Sequence, residues 1–174
     1  MSQKFNIRNV RLEEFEDIGE LMVSVYSQLD DFPKKTEQPD YYNMLLNVGE
    51  LTKNEHTELI VAISQKNKVV GAVEYFSDLK NYGSGGVISK IQNASGFRLF
   101  AVDPLERGNG LGKMLTYECI YRAKISNKKQ VYIHSTKSMQ VAWSMYGKLG
   151  FSRFPDIDFM QEKLSVYGFK LNLD

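Results

Sequence analysis

The chain has 174 residues, 43% of them hydrophobic and 25% charged, with a formal net charge of +1 and one cysteine. That balance suits a single soluble domain built on an apolar core. It excludes a disulfide framework and any broad electrostatic attraction to nucleic acid or an anionic membrane. No apolar run approaches the roughly 20 residues of a membrane-spanning helix, and Met1–Val10 is too polar for a secretion signal. A cytoplasmic protein with one domain over residues 1–174 is expected.

Alternation over Lys4–Val10 predicts a short strand. Leu12, Phe15, Ile18, Leu21, Met22 and Val25 recur at helical spacing, which predicts a helix over Leu12–Leu29 that ends at the polar run Asp30–Lys35. A second helix is predicted over Tyr41–Leu51, weakened late by Asn47 and Gly49. Thr57–Ser64 and Val69–Phe76 read as strands joined by a hairpin turn at Gln65–Lys68. Asp78–Ser95 contains Gly83, Gly85 and Gly86 and shows no period, so a functional loop with room for a short strand is expected.

Phe97–Val102 is apolar almost throughout, the pattern of a strand covered on both faces. A turn over Asp103–Asn109 and a helix over Gly110–Ser126 follow. Val131–Ser135 predicts a strand, Met139–Leu149 a helix, and Phe151–Phe154 and Val166–Leu173 two final strands. The order β-α-α-β-β-β-α-β-α-β-β predicts an α/β protein (α+β, mixed sheet) with a single core.

Chemistry concentrates in Val102-Asp103-Pro104-Leu105-Glu106-Arg107-Gly108-Asn109-Gly110-Leu111-Gly112-Lys113. A buried strand ends, the chain turns, and alternate glycines open a helix. The first turn of a helix has unpaired N–H groups at the positive end of its dipole. Glycines there let an anion reach the backbone, and Arg107 and Lys113 add positive charge. A Walker A loop is excluded, since Arg107 stands where its first glycine belongs and Met114 where its hydroxyl belongs. The dinucleotide fingerprint fails too, with Lys113 at its third glycine.

Arg107-x-x-Gly110-x-Gly112 after Val102-Asp103-Pro104 resembles the pyrophosphate-binding motif of the GNAT (GCN5-related N-acetyltransferase) superfamily. Ala142–Phe151 is similar to the family's second signature, a helix carrying Tyr146 and ending at Leu149-Gly150-Phe151. Together these cover residues 97–154. The resemblance implies the GNAT acyl-CoA N-acyltransferase fold, a central splayed sheet flanked by helices. It also implies an N-acetyltransferase that moves an acetyl group from acetyl-CoA to a primary amine of a small molecule, by direct attack in a ternary complex.

Cofactor binding would then fall to Phe100, Ala101, Val102, Arg107, Gly108, Asn109, Gly110, Leu111, Gly112 and Lys113. The pantetheine arm would lie between Phe97–Val102 and Val131–Ser135, with an N–H near Phe100 or Ala101 polarising the thioester carbonyl. Tyr146 would be the general acid. Many members place a glutamate before the cofactor strand, where this chain has Gly96, and an asparagine near the position of Met139. Glu74 on the preceding strand is then the carboxylate expected to act as base, directly or through water.

Asp30 and Asp31 are candidates for meeting a cationic amine, and Tyr26, Tyr41, Tyr42 and Tyr82 for walling its pocket. Trp143 reads as core, and Cys119 as a structural thiol. His56 and His134 show no metal-ligand spacing, so no metal is expected. His134 adjoins the expected cleft and is a candidate substrate contact. Two alternatives stay open: an acyl-CoA-sensing module without turnover, and a protein N-terminal or lysine acetyltransferase. Homodimerisation is common in the family, and Val166–Leu173 is the strand expected to pair across such an interface.

Overall fold

The computed structural model describes residues 4–83 and 86–174. Phe5–Asn9 forms β1, and a 3-10 turn at Leu12–Glu14 leads into α1, Phe15–Ser27. Glu14 holds that turn by pairing with the Arg8 guanidinium and accepting the Arg11 N–H at 2.8 Å. The helical spacing of Leu12 therefore belongs to a tighter coil, and Leu12 itself is exposed. α2 runs Pro39–Leu46, opened by a proline in its first turn, where no N–H is needed. Val48–Lys53 tightens into a 3-10 helix instead of prolonging it, with Gly49 pressed beneath the Phe15 ring.

The hairpin β2 (Thr57–Ser64) and β3 (Val69–Phe76) has the expected bounds. Two 3-10 turns follow, Leu79–Asn81 and Ile88–Lys90. Gly85 of the predicted loop lies outside the described residues. The next strand, β4, spans Ala94–Val102 and starts three residues earlier than expected. After it come α3 (Leu111–Ile125), β5 (Gln130–Ser135), α4 (Gln140–Lys148), β6 (Ser152–Arg153), β7 (Phe159–Gln161) and β8 (Leu164–Asn172). The three-residue β7 has no counterpart among the predicted strands.

The strands form one sheet in the order β1-β2-β3-β4-β5-β8-β6, with β7 on β8. Among the described residues only β4 and β5 run parallel, and every other pair is antiparallel. Both faces are covered, and strand alternation divides the core. Ile60 and Ala62 join Leu111, Leu115, Cys119 and Phe151 on one face. Leu59, Val61 and Ile63 join Ile18, Met22 and Leu45 on the other. Cys119 is fully buried there, as a structural thiol requires. β8 lies between β5 and β6, so over most of its length the edge expected to meet a second copy is already paired within the chain. No described helix is long and apolar enough to cross a membrane.

Candidate active site

β4 and β5 pair only from Ala94 opposite Gln130 to Phe97 opposite Ile133. Beyond that, β4 continues along β3 as far as Val102 opposite Gly71, and β5 continues along β8. The two strands part. A bulge in β4 begins the parting: Arg98 faces Glu74 and Ala101 faces Ala72, so Leu99 and Phe100 share Val73. Leu99 takes a φ of 49°, which for leucine costs about 1 kcal/mol or more. The extra residue resets the alternation. Phe97 and Phe100, three apart, pack on the α3 side, while Leu99 and Ala101 pack with α1 and α2.

Where the ladder stops, the Tyr82 hydroxyl replaces it. It donates to the Phe97 carbonyl and accepts from the His134 N–H, both at 3.2 Å. One phenol thus satisfies the first unpaired groups of two strands and holds them a side chain apart. Gly96 makes room for it: a Cβ there would lie 2.6 Å from the Tyr132 carbonyl and 2.9 Å from both Leu79 and the Tyr82 ring.

The turn after β4 is shaped by Asp103, whose carboxylate accepts the Leu105 N–H at 2.9 Å. Gly108 and Gly110 then adopt φ of 80° and 77°, and Gly110 caps α3 in the left-handed region that favours glycine. The first intrahelical bond runs from the Met114 N–H to the Gly110 carbonyl at 3.0 Å, so the N–H groups of Leu111, Gly112 and Lys113 find no acceptor within the helix. At Gly108 and Gly110 a Cβ would meet nothing within 4 Å. The space beside these two glycines is open.

Leu111 itself is buried against the sheet and contributes backbone only. Arg107 and Lys113 are exposed beside the turn, whereas the Asn109 side chain turns back to Glu106 at 3.1 Å. Gly112 lies 3.9 Å, by its missing Cβ, from the Phe100 ring and 3.7 Å from the Met145 sulfur. The first turn of α3 therefore adjoins both the bulge of β4 and α4.

A cavity of about 450 Å³ occupies the parting. Tyr146 of α4 lines it, its ring 6.0 Å from Phe97 and 5.6 Å from Phe151. Burial pushes its phenol well above the ordinary value, so it stays protonated through the neutral range. Tyr26, Phe32 and Tyr41 wall the opposite side. Burial also raises the Tyr26 phenol, and the backbone at Phe100 opposes the shift. Phe100 itself lines the cavity.

His134 lines the cavity as well. Its Nε2 sits 2.7 Å from the Ile157 carbonyl and must carry the proton, which leaves Nδ1 as a buried lone pair without a hydrogen-bond partner among the described residues. Burial holds the ring below its ordinary value, so it is neutral at pH 7. Arg98 and Met139 also line the cavity. Glu74 does not: it is 1% exposed and sits beneath Arg98, whose Nε donates to it at 2.9 Å. Burial raises its carboxyl and the Arg98 charge opposes that shift.

The structure thus gathers Tyr146, Phe100, His134, Tyr26, Tyr41 and Tyr82 at one cavity. Asp30 and Asp31 are exposed and do not line it, and the Tyr42 hydroxyl is spent on the Pro33 carbonyl at 2.9 Å. Trp143 packs on Phe169 and Tyr167. Among the described residues no three His, Cys, Asp or Glu side chains gather as metal ligands. Sequence reasoning missed Arg98, and treated Tyr82 only as a wall. The cross-strand register that sets Arg98 against Glu74 carries no local signal.

A sequence model of the acetyltransferase (GNAT) family matches residues 17–151. Mycothiol acetyltransferase from Streptosporangium roseum is 39% identical over 62 residues, which are 36% of this chain and only 18% of that relative's length. Among solved structures, an acetyltransferase of the GNAT family from Staphylococcus aureus Mu50 aligns with a TM-score of 0.74 at 22% identity, covering 98% of this chain and 99% of that one. PaiA N-acetyltransferase from Thermoplasma acidophilum, in complex with coenzyme A, gives 0.74 at 15% identity over 98% and 100% of the two chains. Spermidine N-acetyltransferase from Vibrio cholerae, with CoA and spermine, gives 0.65 at 16% identity over 97% and 95%. At such identities these structures speak for the fold alone.

Proposed function

Because the chain belongs to the acetyltransferase (GNAT) family, we propose that it transfers the acetyl group of acetyl-CoA to a primary amine of a small molecule, both bound at once. The observation that carries this reading is the exposed glycine turn at the α3 N-terminus, with unpaired amides after it, set beside the bulged, parted edge of β4. The chain's residues fit the coenzyme there. Amides of Leu111, Gly112 and Lys113 take the diphosphate, with the glycines at 108 and 110 clearing its approach and Arg107 and Lys113 adding charge. From Arg98 onward the edge of β4 turned to β5 has no ladder partner, so backbone groups of Phe100, Ala101 and Val102 are left for the pantetheine amides.

Bound, acetyl-CoA supplies an activated acetyl carbonyl, which a neutral amine takes as the thiolate departs. The Phe100 N–H, on the part of β4 that lines the cavity past the end of the β5 ladder, steadies negative charge on the carbonyl oxygen, a contribution of roughly 3 kcal/mol for one well-placed donor. Tyr146 stays protonated and donates to the departing sulfur. The proton shed by the amine needs an acceptor. Glu74 is shielded by Arg98, so we place that role at His134, whose neutral Nδ1 is buried beside the cavity and has no hydrogen-bond partner among the described residues.

This assignment has a pH signature. His134 titrates below 6.5 in the folded chain, chiefly through burial, with the Ile157 carbonyl and Asp158 opposing and Arg98 assisting. As pH falls, the unfolded chain takes the proton first, so the stability tied to the neutral ring is complete above 6.5 and lost as pH drops through the folded value. The kcat at saturating amine is expected to hold level through pH 6.5 and decline only below it. A pH–rate profile of the wild type against His134→Gln checks this, and identical acid limbs would remove His134 from the role.

Acetyl-CoA is expected to raise the melting temperature where NAD and ATP do not, and thiol release is expected once a suitable amine is added. Stabilisation by acetyl-CoA with no thiol release from any amine would instead favour a sensing module. Absence of any stabilisation would contradict coenzyme binding itself.

A further inference from the structure

Arg98 leaves β4 just before the bulge, and its guanidinium carbon lies over the rings of Phe76 and Tyr82, 5.5 and 5.9 Å from their centroids. A guanidinium has two edges able to grip a carboxylate: one made by Nε and a terminal nitrogen, the other by the two terminal nitrogens. Glu74, itself buried, holds Arg98 by Nε. The terminal edge meets no acceptor among the described residues. That end of the side chain faces Gly83, where a Cβ would lie 2.8 Å from each terminal nitrogen. Arg98 and Gly83 both line the cavity, and the Arg98 side chain is 26% exposed.

The guanidinium is thus anchored from below by a buried carboxylate and flanked by aromatic rings, and its terminal nitrogens are approached closely by Gly83, where any side chain would collide with them. The remaining walls shape the preference further. Tyr26, Phe32, Tyr41 and Met44 form an aromatic and apolar side, with Leu164 and Val166 also lining the space. Among the described residues no Asp or Glu lines the cavity. A polyamine would set several positive charges beside an arginine, in a poorly solvated space, with no acid to receive them. A molecule carrying a carboxylate next to its amine meets the opposite situation: a charge-assisted bidentate contact on the open edge.

We infer that the acceptor is an amino-acid-like amine, one that carries a carboxylate and an apolar side group, with the carboxylate held on the terminal edge of Arg98. This rests on the acetyl-transfer reading above and assigns that site its acceptor class. The amine is the group acetylated, and Arg98 is a positioning residue that sets the distance between the carboxylate and the reacting nitrogen.

Calorimetry on the protein loaded with coenzyme A tests this without requiring turnover. L-Phenylalanine and L-methionine are each titrated beside the corresponding amide, with spermidine as a third class. Each acid is expected to bind at least about tenfold more tightly than its amide, the scale of one charge-assisted contact of roughly 1.5 kcal/mol or more. Arg98→Lys keeps a cation against Glu74 but lacks the second edge, so it is expected to erase the difference, while retained coenzyme A binding reports that the variant is folded. If coenzyme A binds but neither acid has an advantage over its amide, or spermidine binds most tightly, the acceptor class is wrong and the acetyl-transfer reading survives. If coenzyme A itself does not bind, both fall.

Discussion

Gly96→Glu, which would restore the carboxylate many relatives carry before the cofactor strand, is expected to destabilise the fold by more than about 3 kcal/mol. The position is inside the short ladder between β4 and β5, where Gly96 pairs with Tyr132. A Cβ would lie 2.6 Å from the Tyr132 carbonyl, a backbone atom held by the sheet, as well as 2.9 Å from Leu79 and Tyr82. Beyond that clash, a carboxylate would enter a cluster of Phe76, Leu79, Tyr82 and Ile88. Gly96→Ala meets the same backbone contact without the charge and is expected to cost about 1–3 kcal/mol. Denaturant unfolding measures both. A Gly96→Glu variant as stable as the wild type would show that Tyr82 does not occupy this space, and the wedge between the strands would have to be abandoned.

Tyr146→Phe is expected to lower kcat by about a hundredfold, at the lower end of general acid catalysis because a thiolate leaves readily. Stability should hardly change. The ring keeps its packing on Phe97 and Phe151, and among the described residues the hydroxyl has no hydrogen-bond partner whose loss would be felt. Burial pushes the phenol far above a thiol, so full proton transfer is uphill and the hydrogen bond to sulfur is the main contribution. Single-turnover kinetics with acetyl-CoA and amine in excess separate this effect from product release. An unchanged rate would take the acid role from Tyr146.

Legibility in the sequence followed the strength of local patterns. The β2–β3 hairpin stood out because alternation and a polar turn act together, and its observed bounds agree. The turn into α3 was readable because Gly108 and Gly110 do something only glycine does cheaply, and both adopt positive φ. Ala94, Ser95 and Gly96 carry no β signal in their small side chains, and at Gly96 the Tyr132 carbonyl, Leu79 and the Tyr82 ring leave no room for a larger one. The bulge at Leu99 was equally hidden. A leucine at positive φ is imposed by the surrounding sheet, not by any preference of its own.

The site divides along the same line. Tyr146 and the glycine loop sit in contiguous motifs: the loop is legible from its glycine and charge pattern, and Tyr146 from the resemblance of Ala142–Phe151 to the family's second signature. Arg98, Tyr82 and the tautomer of His134 depend on contacts between distant segments: Arg98 on Glu74, Tyr82 on both β4 and β5, His134 on Ile157. Glu74 shows the limit most plainly. The resemblance left Glu74 as the carboxylate expected to act as base, yet only the register of β3 against β4 brings it to Arg98, which holds it.

Titration of coenzyme A into the wild type and into Gly110→Asp tests the heart of the account. Aspartate tolerates the left-handed backbone of that cap better than most residues, and its side chain would enter open space, so the variant should fold. Its charge would stand where the diphosphate is expected. One-to-one binding to the wild type, reduced at least about a hundredfold in the variant, is the expected result, a difference of roughly 2.7 kcal/mol. No heat with the wild type, or equal affinity for both proteins, would contradict it.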